Sequence, residues 1–289
     1  MADILLFDVN YLAHRSWHTT GGLEYQGIPT GVAYGVLHTI LELVNLHDAK
    51  FSVMAFDDRG KSLRREIYPN YKKTRYSKEL SPEELDAVKL LHDQVDSLKD
   101  EYLPGMGFKN NFRVAGYEGD DIIAEAVNRI PESKTAIIVS SDQDMYQCIR
   151  NNVMHFNPTT KACINIDVFR KTWGIEPCQW PSVKALAGCK SDDVAGIRGV
   201  GEVTAARYLS GELTKGKKYE DIQKNIGLMH KNLPIVELPF PGIRVPPIKK
   251  DDVTEKKIRK VHEALGIRTS RRSSRAAKKD KLIKQGFDV

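Results

Sequence analysis

The sequence has little cysteine. Four residues in 289, Cys148, Cys163, Cys178 and Cys189, lie far apart with no Cys-x-x-Cys pair among them. That spacing suggests neither a zinc site nor a disulfide framework, and it fits a reducing compartment such as the cytoplasm. Long apolar runs are also absent. Nothing approaches the roughly 20 consecutive apolar residues that cross a bilayer, and the Ile4-Leu5-Leu6-Phe7 stretch is short and bracketed by Asp3 and Asp8. Membrane insertion and secretion are therefore not expected. No internal repeat is found.

Charge is plentiful in both signs: 44 Lys and Arg against 38 Asp and Glu, a net charge of +6. The total says little about partners, since many enzymes are as basic. The distribution says more. Cations crowd into Lys61 to Lys78 and Arg268 to Lys284, whereas acids fall in short clusters behind apolar runs. Such segregation lets one surface attract phosphate while another holds metal.

Three apolar runs, Ile4 to Asp8, Phe51 to Asp57 and Thr135 to Asp142, are too compact for helices and each ends in Asp. They read as buried parallel strands. Helical stretches lie between them, Val32 to Leu46 and Asp120 to Ile130, the second behind an acidic start. Alternation of this kind implies an α/β fold with a mostly parallel central sheet flanked by helices. Ligands of such sheets bind beyond the carboxyl ends of the strands, where all three aspartates arrive.

The rest of the chain is less regular. A basic, tyrosine-bearing segment, Tyr71 to Tyr76, runs into Ser81-Pro82-Glu83-Glu84, a capped helix start, so residues 69–103 read as a long excursion above the sheet. A core over residues 1–165 and a helical region over 166–289 are expected, the latter with a glycine turn within 185–210 and a basic C-terminal stretch. Leu238 to Pro247 is too proline-rich for a regular element.

The candidate site is acidic. Asp8 and Asp57 are joined by Glu118, Asp120 and Asp121 at a helix start, by Asp142 and Asp144 after the third strand, and by Asp192 farther on. Any one of these has a plain reading, because acids complement the dipole at helix N-termini. The whole set at one sheet edge points to metal: dense carboxylates repel one another unless cations intervene, and hard oxygen donors favour Mg²⁺ or Mn²⁺. Two such ions roughly 4 Å apart suit phosphodiester hydrolysis.

These motifs resemble the 5′-nuclease family: flap endonucleases, the 5′-nuclease domains of bacterial DNA polymerase I, and stand-alone phage 5′-3′ exonucleases. The resemblance spans roughly residues 3 to 210 and rests on Phe7-Asp8-Val9-Asn10, on Phe56 to Glu66, and on Tyr71-Lys72 with Arg75. It continues through Gly116 to Asp121, Ser141 to Met145 and Gly196 to Gly201. It implies a PIN-like fold with a helical arch and a helix-hairpin-helix subdomain. It also implies that Asp8, Asp57, Glu118, Asp120 and Asp121 surround one metal position, with Asp142, Asp144 and Asp192 at a neighbouring one. Lys72 and Arg75 would contact the scissile phosphate at the base of the arch, with Tyr71 stacking on a nucleobase. Arg15, Lys61 and Arg64 would contact DNA. Gly196, Arg198, Gly199, Gly201 and Thr204 would form the hairpin that meets a duplex phosphate, where the family often carries K⁺.

The expected substrates are 5′ ends, flaps and nicks in DNA, with RNA–DNA hybrids as a further class. A dinucleotide-binding loop fits Gly196 to Gly201 less well, since no strand precedes it and Thr204 stands where a third glycine would. One position departs from the family. Its Gly-Asp-x-x-Asp-Asn pattern reads here Gly188-Cys189-Lys190-Ser191-Asp192-Asp193. A thiol is a poor Mg²⁺ ligand, so a weaker or differently placed second metal is expected, with Asp193 as a substitute ligand; the alternative to a nuclease is a structure-specific DNA-binding protein with weakened or lost cleavage.

Overall fold

A computed structural model describes residues 1–60, 62–77 and 79–267. Lys61 and the basic stretch from Arg268 onward lie outside the described residues. β1 (Ile4–Asp8) runs into α1 (Val9–Thr20), and a small ribbon of β2 (Glu24–Tyr25) and β3 (Ile28–Pro29) turns the chain into α2 (Gly31–His47) and β4 (Phe51–Phe56). Between β4 and β5 lie α3 (Arg64–Ile67), α4 (Lys73–Ser77), α5 (Pro82–Ser97) and, after a wide turn over Leu98–Tyr102, α6 (Leu103–Met106). β5 (Asn110–Arg113), α7 (Gly119–Asn128), β6 (Ala136–Val139), β7 (Val153–Phe156) and β8 (Cys163–Ile164) complete the sheet domain.

The sheet order is β5-β4-β1-β6-β7-β8, parallel throughout except where β8 joins β7. Side chains alternate between its faces, as strand geometry requires. Leu5, Phe7, Met54, Phe56, Ile137 and Val139 pack with α1 and α2, while Ile4, Leu6, Val53, Ala55, Ala136 and Ile138 pack with α7. The runs are apolar at nearly every position because both faces are covered, with Ser52 of β4 buried among them.

Ser81 starts α5 as its sequence suggests: its hydroxyl accepts from the Glu84 amide while the Glu84 carboxylate accepts from the Ser81 amide, a reciprocal cap worth about 1 kcal/mol. The free excursion is shorter than 69–103. From Leu91 the helix turns inward: Leu91, Val95 and Leu98 join the core, and buried Gln94 accepts from the Val32 amide at 3.1 Å.

The second layer carries α8 (Ile166–Trp173), α9 (Trp180–Ala187), a ribbon of β9 (Gly188–Cys189) and β10 (Val194–Ala195), then α10 (Glu202–Leu209), α11 (Lys217–Lys224) and α12 (Ile226–Val236). It has a core of its own around Phe169, Trp180 and Leu186. The chain then returns to the sheet domain, so a cut at 165 does not describe it. Ile243 and Val245 bury against the α7 face, Asn110 exchanges hydrogen bonds with Lys249, and α13 (Glu255–Ala264) inserts Val261 beside α6. The prolines of residues 239–247 suit a segment that crosses a domain without pairing in its sheet. Among the described residues no helix is long and apolar enough to cross a membrane.

Candidate active site

The carboxyl ends of β1, β4 and β6 place Asp8, Asp57 and the turn after Val139 side by side. Asp8 caps α1, one oxygen accepting from the Tyr11 amide at 2.9 Å and the other from the Ser140 hydroxyl at 3.0 Å. Asp57 accepts from the Gly119 amide at 2.7 Å, and its own amide donates to the Asn10 side chain at 3.0 Å. Glu118 caps α7, which brings Asp120 in behind it. The helix-capping reading and the cluster reading are thus both realised, by the same side chains.

Burial, and then Asp57, push the Asp8 carboxyl up to about 7. Burial also raises Asp57 and, with Asp121 next to it, lifts Asp120 well above the usual carboxylate range. Glu118 behaves oppositely. Burial works against its charge, but Lys72 and Arg64 outweigh burial and hold it below its ordinary value. Its Oε2 accepts from Lys72 Nζ at 2.7 Å and from the Tyr71 hydroxyl at 2.8 Å.

On the other side, Asp142 caps a 3-10 turn (Gln143–Cys148) by accepting from the Asp144 amide at 2.8 Å. Asp144 sits 3.0 Å from the Lys184 ammonium, yet burial and Asp142 still push it up to about 6. Asp192 lies 3.8 Å from Lys72 Nζ. A small cavity lined by Asp120, Asp144 and Asp192 joins the two sides.

Four expectations change here. Asp121 is fully buried, and its oxygens accept from both terminal nitrogens of Arg64, at 2.6 and 2.7 Å, from the Phe240 amide at 2.7 Å and from the Glu118 amide at 3.2 Å. With those acceptors filled it braces the site and is no ligand. Arg64, 2% exposed, also donates to the Ile235 carbonyl and lies over the Phe240 ring, so it is no surface for DNA. Tyr71, 4% exposed and tied to Glu118, is likewise unable to stack on a base in this conformation. Asp193, the substitute ligand considered above, is engaged elsewhere: it accepts from the amide and hydroxyl of Thr74, both at 2.7 Å. With the Lys72 amide on the Asp192 carbonyl at 2.8 Å, this fastens the start of the excursion to the 188–193 loop.

Lys184 was not singled out by sequence reasoning. It is 8% exposed and bridges Asp144 to Glu202 of α10 at 3.1 Å. Its signal is a lone cation between Val183 and Ala185 in an apolar helix; a cation so placed is rarely buried without an acidic partner. At the glycine turn, Gly199 has φ +74 and Gly196 leaves no room for a Cβ, which would stand 2.0 Å from the Ala187 carbonyl oxygen. Gly201 needs neither exemption: its φ is −100, and open space surrounds the position where it starts α10. Arg198 and Arg75 are exposed, Thr204 and Arg15 half-buried.

Whether divalent metal fits can be judged from the donors. Asp8, Asp57, Glu118 and Asp120 offer oxygen alone, as a hard cation needs, and at Asp8, Asp57 and Asp120 no cation of the chain outweighs burial. On the other side Asp144, Cys189 and Asp192 offer ligand atoms within 4.8 Å of one another.

An acid cluster at the strand ends of a covered parallel sheet, with cations at its rim, suits metal-dependent chemistry on phosphate, the class to which phosphodiester hydrolases belong. Residues 3–174 match the family model of the 5′-3′ exonuclease N-terminal, resolvase-like domain. A 5′-3′ exonuclease of Aquifex aeolicus (strain VF5) is 31% identical over 239 residues, covering 81% of this chain and 76% of its own. DNA polymerase I of Thermus aquaticus is 30% identical over 209 residues, 71% of this chain but only 23% of the polymerase. This chain thus spans about a quarter of that relative's length. The fold is similar to T5 5′-exonuclease with divalent metal ions (zinc) bound, with a TM-score of 0.69 at 22% identity over 82% of this chain and 89% of that one. It is also similar to human GEN1 in complex with Holliday junction DNA, with a TM-score of 0.58 at 13% identity over 98% and 71%. The chain belongs to the 5′-3′ exonuclease family.

Proposed function

We propose that this chain is a divalent-metal-dependent 5′-nuclease that removes nucleotides or flaps from the 5′ ends of DNA during replication or repair. The observation that carries the reading is the meeting of Asp8, Asp57, Glu118, Asp120, Asp144 and Asp192 at one sheet edge, tied through Lys72 to the base of an exposed helical excursion. Asp8, Asp57, Glu118 and Asp120 would hold Mg²⁺ or Mn²⁺, with Asp142, Asp144 and Asp192 serving a neighbouring position. Ions so held supply water activation and charge neutralisation at the phosphodiester.

The chain's own residues position the strand. Lys72 is kept charged because Glu118, Asp192 and Asp120 outweigh its burial, and an ammonium at that place stabilises charge developing on phosphate. Arg75, exposed on α4, adds a second cation at the mouth. At the glycine turn open space surrounds the Cβ position of Gly201, which starts α10, and the first amides of a helix take a duplex phosphate through backbone N–H groups, with K⁺ as its counter-ion. Contacts of this kind read shape and charge, so an RNA 5′ strand in a hybrid belongs with flapped and nicked DNA among the substrates. The T5 homologue solved as a pseudo-enzyme-product complex with DNA and metal ions supports the reading.

Incubating purified protein with labelled 5′-flap, nicked and RNA–DNA substrates in Mg²⁺ and in Mn²⁺ tests it. Cleavage is expected, and Asp142→Asn with Asp144→Asn abolishes it while flap binding stays measurable. Undiminished turnover in that double variant would overturn the assignment.

A further inference from the structure

We infer that Cys189 is a thiolate ligand, which makes the Asp144/Asp192 side of the site selective for borderline-soft divalent cations such as Zn²⁺ or Co²⁺ over Mg²⁺. The inference rests on the nuclease reading for what the position is used for, while the binding itself is tested apart from cleavage.

The sulfur is placed, not merely nearby. Cys189 pairs with Val194 in the β9–β10 ribbon. Its Sγ donates to Asp192 Oδ2 at 3.2 Å and lies 3.0 Å from the Ser191 hydroxyl. Asp144 is fixed from the opposite layer by the turn that Asp142 caps. The three ligand atoms all fall within 4.8 Å of one another. A tetrahedral ion with metal–sulfur bonds of about 2.3 Å and metal–oxygen bonds of about 2.0–2.2 Å separates such donors by roughly 3.5 Å, so one ion bridges them with small adjustments. Three protein donors and one open position is the pattern of a catalytic zinc site, whereas Mg²⁺ wants oxygen donors in an octahedron.

A thiolate and two carboxylates concentrate negative charge, and the buried Lys184 ammonium beside Asp144 offsets part of it. None of the other cysteines has this setting. Cys148 is buried in the apolar α7 face, Cys163 contacts Met154, and Cys178 is exposed on a separate turn (Pro177–Gln179).

Titrating the full-length protein with Co²⁺ reads the ligand directly, because a bound thiolate gives a near-ultraviolet sulfur-to-cobalt charge-transfer band. The band is expected in the wild type and in Cys178→Ser, and is expected to vanish in Cys189→Ser. Cys189→Asp is expected to lack the band and to bind Mg²⁺ about tenfold more tightly than the wild type, as replacement of a soft donor by a hard one dictates. No band in the wild type, or a band that survives Cys189→Ser, overturns the inference even if that variant is poorly folded. Mg²⁺-dependent cleavage by a wild type that shows no band would sink this inference alone. A band from a protein that cleaves none of the substrates would sink the nuclease reading alone.

Discussion

The two halves of the acid cluster are built from different parts of the fold. Asp8, Asp57, Glu118 and Asp120 stand on two strand ends and a helix start, all within the sheet domain. Asp142, Asp144, Cys189 and Asp192 stand on a 3-10 turn and a loop, brought together where the sheet domain meets the helical layer. Sheet topology dictates the first half, and packing between layers dictates the second. The chemistry follows the architecture: the first half is all oxygen, while the second carries a thiol and a buried lysine. A ligand borne by a two-residue ribbon can change character without disturbing the sheet.

The contrast is broken or sharpened by substitution. Among single substitutions Asp120→Asn should have the largest effect: single-turnover cleavage of a 5′ flap in Mg²⁺ falls by about 10³-fold, the scale of losing a group that acts on transition-state charge, with flap binding within a few-fold. A loss smaller than tenfold would move the chemistry away from the oxygen-only half.

Arg64→Ala tests the brace behind that half. Breaking a buried pair strands the remaining charge, so urea unfolding should show a loss of about 3–4 kcal/mol. A variant of full stability but weak DNA binding would return Arg64 to the surface role its sequence suggested.

Asp251→Asn is the reference far from both halves. Burial pushes the Asp251 carboxyl up to about 6 from 3.8. A raised carboxyl favours the fold most below pH 3.8, and that contribution is lost as pH rises through 6. The amide escapes the loss, so the variant should gain about 1–2 kcal/mol at pH 7 and nothing near pH 4, after allowing for partial exposure. Equal gains at both pH values would refute the assignment.

The smallest effect is expected at the hairpin. Arg198→Ala should weaken duplex binding a few-fold and reduce the salt dependence of affinity by about one counter-ion, leaving the cleavage rate of bound substrate unchanged.

The first half was legible in sequence because its signals are local. Apolar runs that stop at Asp8 and Asp57 give parallel strands, and Ser81-Pro82 gives a helix start. What stayed hidden depends on distant partners. Arg64 and Asp121 sit inside motifs and look like site residues, yet Ile235 and Phe240, which complete their contacts, lie 171 and 119 positions away. Tyr71 beside cations reads as a stacking residue, but no periodicity tells whether its hydroxyl turns inward to Glu118. The return of Ile243, Val245 and Val261 to the sheet domain was masked by prolines, which mark where regular structure stops without saying where the chain packs.

Ile235 and Phe240 also impose an order on synthesis. A ribosome makes the strands, both acid-bearing turns and most of the helical layer before it reaches the carbonyl and amide that lock Arg64 against Asp121. Until then a buried ion pair lacks two of its partners, and the wall behind Glu118 is unfinished. The nascent chain therefore carries every acid of the cluster before the Arg64–Asp121 brace behind Glu118 has all its partners.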